Sequence, residues 1–366
     1  MELAAVRRYN NAEKIPRIKT AKGALFMKYE DAVKNAKNNI GSLCRACNIC
    51  NGAACRNTMP GPGAKGTGDT AVRNFQKWQE IRVNMDTICP MGETDTSLEI
   101  FGENFRYPFF AGPVGAVNLH YSDAYDDMTY NDALVRGCAE NGIAAFTGDG
   151  ANPAVMAAAS AAIRNAGGRG IPTVKPWSGA VLEDKLRLIQ ESDSFAVAMD
   201  IDAAGLPFLK NMDPPAGRKS VEELTQIIAR TDRPFIVKGI MTVKGALKAR
   251  AAGAAGIVVS NHGGRVLDQC PATAEVLSEI ADAVNGTMKV IVDGGIRSGV
   301  DVFKALAMGA DAAVITRPFV TAVYGGAEAG VAAYIEKIGE ELKDTMEMCG
   351  ALSLKDITSD MVRLPK

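Results

Sequence analysis

From residue 108 onward one phrase recurs: a short apolar run, a polar or glycine-rich turn, then a segment with helical spacing. The runs are PFFAGP (108–113), IAAFTGDG (143–150), IPTVKPW (171–177), FAVAMDIDAAG (195–205), PFIVKGI (234–240), AGIVVSNHGG (255–264), KVIVDGG (289–295) and AAVITRP (312–318). Strands with one wet face alternate apolar and polar residues; runs apolar throughout suit parallel strands covered on both faces. Between them, VEELTQIIAR (221–230), VKGALKARAAGA (243–254) and GVDVFKALAMGA (299–310) carry a helical period. In the last, Val302, Phe303, Leu306 and Ala307 share one face, and Gly309 stands where a helix stop is expected. Eight strand-then-helix units predict a (β/α)₈ TIM barrel over 108–366. A doubly wound open sheet is the rival, but it usually has fewer strands and carries its glycine fingerprint early. Residues 1–107 then form an N-terminal extension without a repeated pattern of its own.

Composition narrows the partners. The 366 residues hold 41 basic and 42 acidic side chains, a formal charge of −1, and no basic block interleaved with aromatics. Nucleic acid is therefore not an expected partner. No apolar stretch approaches the ~18 residues of a membrane span. MELAAVRRYNNAEKIPRIKT at the N-terminus lacks the apolar core of a secretory signal, so the expected location is cytoplasmic. Eight cysteines in such a chain are expected to be thiols or metal ligands rather than a disulfide framework.

In a barrel of this kind the active site is assembled at the C-terminal ends of the strands. The first run ends in Pro113, Val114, Gly115 and Ala116, and the second in Thr147 with GDG. The third supplies Lys175 and Trp177, the fourth Asp200 and Asp202, the fifth Lys238. The sixth supplies Ser260, Asn261, His262 and Arg265; His262 is one of only two histidines in the chain. The seventh opens DGGIRSG (293–299), and the eighth ends in Thr316, Arg317 and Pro318.

Loops after strands 7 and 8 are the usual phosphate site of such barrels. Glycines there allow close backbone approach, a helix N-terminus favours an anion, and Arg297 and Arg317 can grip phosphate oxygens. The bland alternative is a pair of surface ion pairs. A lysine ending IVKG is costly in a barrel interior unless it neutralises a charge. Lys238 is thus expected to face an anionic cofactor ring, to pair with Asp200 or Asp202, or both.

VKGIMT, SNHGGRVLD, VDGGIRSGVDVFKALAMGA, TRP and the closing DTMEMCGALSLKDI (344–357) resemble the FMN-dependent α-hydroxy-acid dehydrogenase/oxidase family. The likeness is densest over 234–355 and extends to TDTSLEIFG (94–102) and AGPVGA (111–116). It implies FMN as cofactor and oxidation of a small-molecule 2-hydroxy acid to the 2-oxo acid. It implies His262 as the base, Arg265 on the substrate carboxylate, Asp202 as the carboxylate orienting His262, and Lys238 stabilising negative charge on the reduced flavin. Gly295, Arg297 and Arg317 would hold the FMN phosphate, and Lys175, Asp200, Asp293 and Thr316 would also stand on the cofactor. Pro113, Val114, Gly115, Ala116, Thr147 and Ser260 would lie along the cofactor, and a homo-oligomer, up to a tetramer, is implied. The chain departs from the family at several places. Trp177 replaces a substrate-touching tyrosine, Lys175 a flavin-contacting glutamine, Asp200 a threonine and Thr316 a glycine. No second substrate arginine matches within AAGLPFLKNM (203–212). Rival functions are an FMN barrel enzyme without net redox, like type 2 isopentenyl diphosphate isomerase, and an iron–sulfur or zinc electron-transfer module.

That last rival rests on CRACNICNGAAC (44–55), which places Cys44, Cys47, Cys50 and Cys55 in a CxxCxxCxxxxC pattern. Such spacing can wrap a [4Fe–4S] cluster or zinc, although the last gap is longer than in a ferredoxin run and no proline follows. Reduced thiols in a small-residue packing segment are the alternative. Cys89, Cys138, Cys270 and Cys349 are scattered and read as incidental. His120, just past the first strand, is expected at the catalytic face in a hydrogen-bonding role. MPGPGAKGTGD (59–69) lacks a preceding strand and full Walker spacing, and reads as a linker or lid.

Overall fold

The computed structural model describes residues 27–56, 58, 65–213 and 215–365. The N-terminal twenty residues read above, and most of the 59–69 linker, lie outside the described residues. Eight parallel strands close into a barrel: β1 (Phe109–Ala111), β2 (Ala145–Thr147), β3 (Gly170–Val174), β4 (Val197–Asp200), β5 (Phe235–Ile240), β6 (Gly256–Val259), β7 (Lys289–Val292) and β8 (Ala312–Ile315). Each pairs with its sequence neighbour, and β8 returns to β1 with Ala313 opposite Phe109. All eight apolar runs are thus strands, and the open-sheet rival is excluded by closure.

Two helices precede the barrel, α1 (Tyr29–Asn39) and α2 (Asp69–Glu80). Those around it are α3 (Asp127–Glu140), α4 (Pro153–Asn165), α5 (Gly179–Glu191), α6 (Val221–Ile228), α7 (Val243–Ala251), α8 (Thr273–Val284), α9 (Gly299–Ala307) and α10 (Arg317–Met348). The caps explain their starts. Ser220 and Glu223 form a capping box on α6, Thr242 Oγ1 accepts from Gly245 N on α7, and Ser298 Oγ accepts from Asp301 N on α9.

The strands bury both faces, which is why they lack polar alternation. Phe110, Phe146, Ile171, Ala198, Ile236, Val258, Ile291 and Val314 form the barrel interior, while Phe109, Ala111, Val197 and Met199 belong to the outer core under the helices. An antiparallel hairpin, Leu98–Ile100 with Glu103–Phe105, delivers Ile100 and Phe105 to the interior cluster. It sits at the end opposite the strand C-termini, so the extension contributes core and not only cover.

Helix α2 of the extension reaches the site end. On α2, Asn74 and Trp78 are four residues apart and so share a face. Asn74 exchanges two side-chain hydrogen bonds with Asn261 (2.7 and 2.9 Å), and Trp78 Nε1 donates to the Gly294 carbonyl at 2.8 Å. Helix α1 lies along α10, where Asn35 Nδ2 donates to the Gly325 carbonyl at 3.1 Å. Residues 41–56, between these helices, run without helix or strand and carry the cysteine cluster.

Candidate functional site

The strand C-termini surround a cavity of about 330 Å³. Pro113, Val114, Gly115, Ala116, Lys175, Lys238, His262, Arg265, Asp293, Gly295, Arg297, Thr316 and Arg317 all line it. Asn74, from the extension, also stands in its wall. Five cations (Lys175, Lys238, Arg265, Arg297, Arg317) face it against two carboxylates (Asp149, Asp293). Such a lining suits an anionic ligand.

The sixth loop is built by backbone geometry. His262, Gly263 and Gly264 have φ of +55°, +62° and +82°, a left-handed reversal in which a histidine is strained and glycines are not. The turn is pinned from several sides. His262 N donates to Ser260 Oγ (3.1 Å), Gly264 N to the Asn261 carbonyl (3.0 Å), and Arg317 Nη2 to the Gly263 carbonyl (3.1 Å). His262 Nδ1 lies 3.0 Å from Asp202 Oδ1. A carboxylate can only accept there, so Nδ1 carries the proton and Nε2 keeps its lone pair. Burial, then the Lys238 and Lys175 charges, hold the His262 pKa well below its usual value. The imidazole is therefore neutral and basic at Nε2. Burial raises the Asp202 carboxyl against the opposing pull of Lys238 and Lys175.

Lys238 differs from the expectation of a partner on strand 4. Its Nζ pairs with Asp293 Oδ2 at 3.2 Å and donates to Ser260 Oγ at 2.9 Å. Burial alone would lower its pKa; Asp293, Asp202 and Asp200 outweigh burial and keep the ammonium charged. Register sets Lys238 opposite Asp200 of β4, and β5 shifts against β6 only beyond it, between Lys238 and Ile240. The shift centres on Gly239 at φ +103°, where a Cβ would come 2.5 Å from Asp202 Cγ. Asp200 is instead the partner of Lys175, with Nζ to Oδ2 at 2.5 Å.

Three residues expected on the cofactor do not line the cavity: Thr147, Asp200 and Ser260, exposed by 0%, 1% and 0%. Trp177 is likewise turned away from it, because its Nε1 donates to Asp149 Oδ2 at 2.7 Å. Asp149 lies in the GDG turn after Thr147 and carries no role that its sequence context marks. Its Oδ1 also accepts from Lys185 Nζ (2.5 Å) and Gly150 N (2.8 Å), and Oδ2 from Lys175 N (3.1 Å). It thereby locks the ends of β2 and β3 together. Tyr121, one residue past His120, is the second addition. It lines the cavity with His120, and it interacts electrostatically with Arg265, whose pKa burial lowers to about 10. A phenol thus stands at the arginine, from a different element than the tyrosine that Trp177 replaces.

Arg297 Nε donates to the Cys50 carbonyl at 2.6 Å, and its Nη1 to the Ile296 carbonyl at 2.6 Å. The eight cysteines are thiols. Burial pushes the Cys44 thiol up to about 11.

The cavity fits FMN by its own chemistry. Asp293, in the cavity wall, has a buried Oδ1 without a hydrogen-bond partner, as a residue awaiting a polar ligand would. The Gly294–Gly295 turn, with φ of +86° and +91°, gives a side-chain-free cradle between Arg297 and the barrel mouth. Arg297 and Arg317 hydrogen-bond only to carbonyls and a thiol among the partners above, so their charge is available to a phosphate.

This barrel, with its glycine cradle and arginine pair, belongs to the FMN-dependent dehydrogenase family, whose model matches residues 61–217 and 208–364. FMN is the cofactor of that family. Within it, the chain is 47% identical over 145 residues to the peroxisomal (S)-2-hydroxyacid oxidase GLO3 of Arabidopsis thaliana, covering 40% of this chain and 39% of that protein. It is 36% identical over 207 residues to an L-lactate oxidase of Lactobacillus jensenii, covering 55% and 51%. The matched stretches thus span about two fifths to one half of these curated relatives. Over nearly the whole chain it superposes on a mandelate oxidase variant solved with (S)-mandelic acid, with TM-score 0.74, 26% identity, and 93% and 99% coverage. A chain solved as a Pediococcus acidilactici lactate oxidase gives TM-score 0.74 at 25% identity, covering 94% and 96%. Among the described residues no helix is long and apolar enough to cross a membrane.

Proposed function

We propose that this chain oxidises a 2-hydroxy acid to the corresponding 2-oxo acid with bound FMN. The observation that carries the reading is the His262–Asp202 pair opening on the same cavity as Arg265. FMN, when bound, supplies the acceptor for the two electrons the substrate loses. Of the two protons lost with them, one would leave with the electrons to the flavin, and the other goes to His262 Nε2, the ring atom not engaged by Asp202. Asp202 orients the ring and offsets the positive charge it then acquires. Arg265 binds the carboxylate through its planar fork, and Tyr121 and His120 stand beside that position to contact the rest of the substrate. Gly294, Gly295, Arg297 and Arg317 would hold the phosphate, Pro113 to Ala116 the ring, and Lys238 its anionic edge, while Ser260 positions Lys238 and His262 from behind. Thr147 and Asp200 support from the same buried layer.

The acidic partner class is carried by the cationic lining, and lactate-, glycolate- and mandelate-like acids form the natural panel. The names of the relatives above agree with that class. Eight thiols favour a reducing compartment, for which the cytoplasm is our proposal, and a homo-oligomer up to a tetramer is expected by size-exclusion light scattering. The decisive experiment replaces His262 by Asn, a residue that tolerates the left-handed backbone. The variant should retain FMN but show no anaerobic bleaching of the flavin bands with any acid of the panel. Bleaching at the unsubstituted rate would overturn the assignment, and an FMN enzyme without net redox would show none in either protein.

A further inference from the structure

Residues 41–56 are the part of the described chain that the hydroxy-acid chemistry leaves without a role. We propose that Cys44, Cys47, Cys50 and Cys55 are the ligands of a [4Fe–4S] cluster on this loop; the site goes beyond the proposed function and does not depend on it. Each of the four thiols is half-buried, and each interacts electrostatically with the other three. They therefore converge on one volume although the loop has no regular structure. Ala46 adopts φ +41° between the first two ligands, and Gly52 φ +82° between the last two, so the chain doubles back around the sulfurs.

Donors already point at the sulfurs. Ala46 N donates to Cys44 Sγ at 3.5 Å, and Arg297 Nη2 reaches Cys50 Sγ at 3.9 Å. Hydrogen bonds to sulfur and nearby positive charge are what a cluster with four thiolates requires. Lys37 and Arg45 line the hollow beside Cys47 and add to that charge.

The sulfur spacing is wider than a single zinc ion takes. Four sulfurs at about 2.3 Å from one zinc ion stand roughly 4 Å apart. Among the described residues no three cysteine sulfurs lie within 4.8 Å of one another. A cluster places each sulfur on a different iron, so its ligands stand further apart, and a CxxCxxC run is the usual frame for four irons. The longer gap to Cys55 is spanned by the turn at Gly52, which packs against Ala71 of α2.

The test uses the full-length, FMN-loaded protein, purified anaerobically and reconstituted with ferrous iron and sulfide. Expected are about four irons and four acid-labile sulfides per chain, with a broad iron–sulfur shoulder beside the flavin bands and a paramagnetic signal on reduction. The paired variant Cys47→Ser/Cys50→Ser should lose all of these while keeping FMN, and Cys270→Ser should lose none. Absence of iron and sulfide in FMN-replete protein, one zinc bound in their place, or full iron in the paired variant would each overturn the proposal. Flavin bleaching by a hydroxy acid in the same samples reports separately on the proposed function.

Discussion

Replacing Asp149 by Asn would remove one charge from the best-connected carboxylate in the site. Asp149 and Lys185 are 0% and 5% exposed at their side chains, so the pair lies out of water. The amide would keep the volume and one acceptor oxygen, but it would remove the negative charge opposite Lys185 and turn an NH2 toward donors on one side, whether Lys185 and Gly150 N or Trp177 and Lys175 N. Breaking a buried ion pair on one side costs about 3–5 kcal/mol. An unfolding entropy of about 2.1 cal/mol/K per residue gives roughly 0.8 kcal/mol/K for a chain of this length, so the melting temperature should fall by about 4–6 °C. Differential scanning calorimetry measures this directly. Fluorescence offers a local readout, because the chain has two tryptophans and Trp177 donates to the carboxylate being changed. Adding Lys185→Met removes the stranded cation and should restore most of the loss. A fall below about 1 °C in the single variant, or no recovery in the double, would refute this account of Asp149 as the clamp between β2 and β3.

Asp202→Asn should leave the fold intact and disturb the His262 tautomer. A hydrogen bond to a charged group contributes about 1.5–3 kcal/mol, or roughly 10- to 150-fold in anaerobic flavin reduction at saturating acid; a change under threefold would contradict the positioning role. Because His262 has a depressed pKa, its neutral form persists below the ordinary value near 6.5. The kcat/KM profile should therefore stay flat as pH falls from 8 to 6, and a midpoint at 6.5 would be inconsistent with the buried ring. The same shift has a stability sign: below about pH 6.5 the unfolded chain binds a proton the folded one does not, so stability drops as pH falls. Gly295→Ala would need a left-handed backbone and drive a Cβ into the Asn74 carbonyl. Strain of about 1–3 kcal/mol should weaken FMN binding by roughly 5- to 150-fold in a fluorescence titration, and an unchanged Kd would remove Gly295 from the cradle.

Much of the barrel was legible because its signal is local. Apolar runs without alternation require burial on both faces, and every one became a strand. The end-of-strand residues were legible for the same reason, since strand C-termini share one rim. What could not be read was pairing across the rim. Lys238 goes to Asp293 rather than to Asp200, its neighbour in register, while Asp200 is engaged by Lys175, and such a choice of partner leaves no local mark in the sequence. Trp177 faces inward because Asp149 offers its indole an acceptor, a contact 28 residues apart in sequence. Tyr121 was hidden by its neighbour His120: both rings reach the cavity from one short turn, and spacing alone does not say which approaches Arg265. Asn74 and Trp78 share a helix face in plain sight, but nothing local says that this face meets the seventh loop.

The docking of α2 onto the barrel mouth also bears on how this protein comes apart. Asn74 meets Asn261 across 187 residues of chain, and Trp78 meets Gly294 across 216. Contacts of such sequence separation can form only after most loop-closure entropy has been surrendered, so the cradle is completed late in folding. By the same token it is a part that can open first without unfolding the barrel. Loss of cofactor on warming should then precede loss of helix, with protease cuts around α2 appearing at the lower of the two temperatures. Bound FMN, by holding the cradle shut, would raise the temperature at which those cuts appear above that of the FMN-free protein.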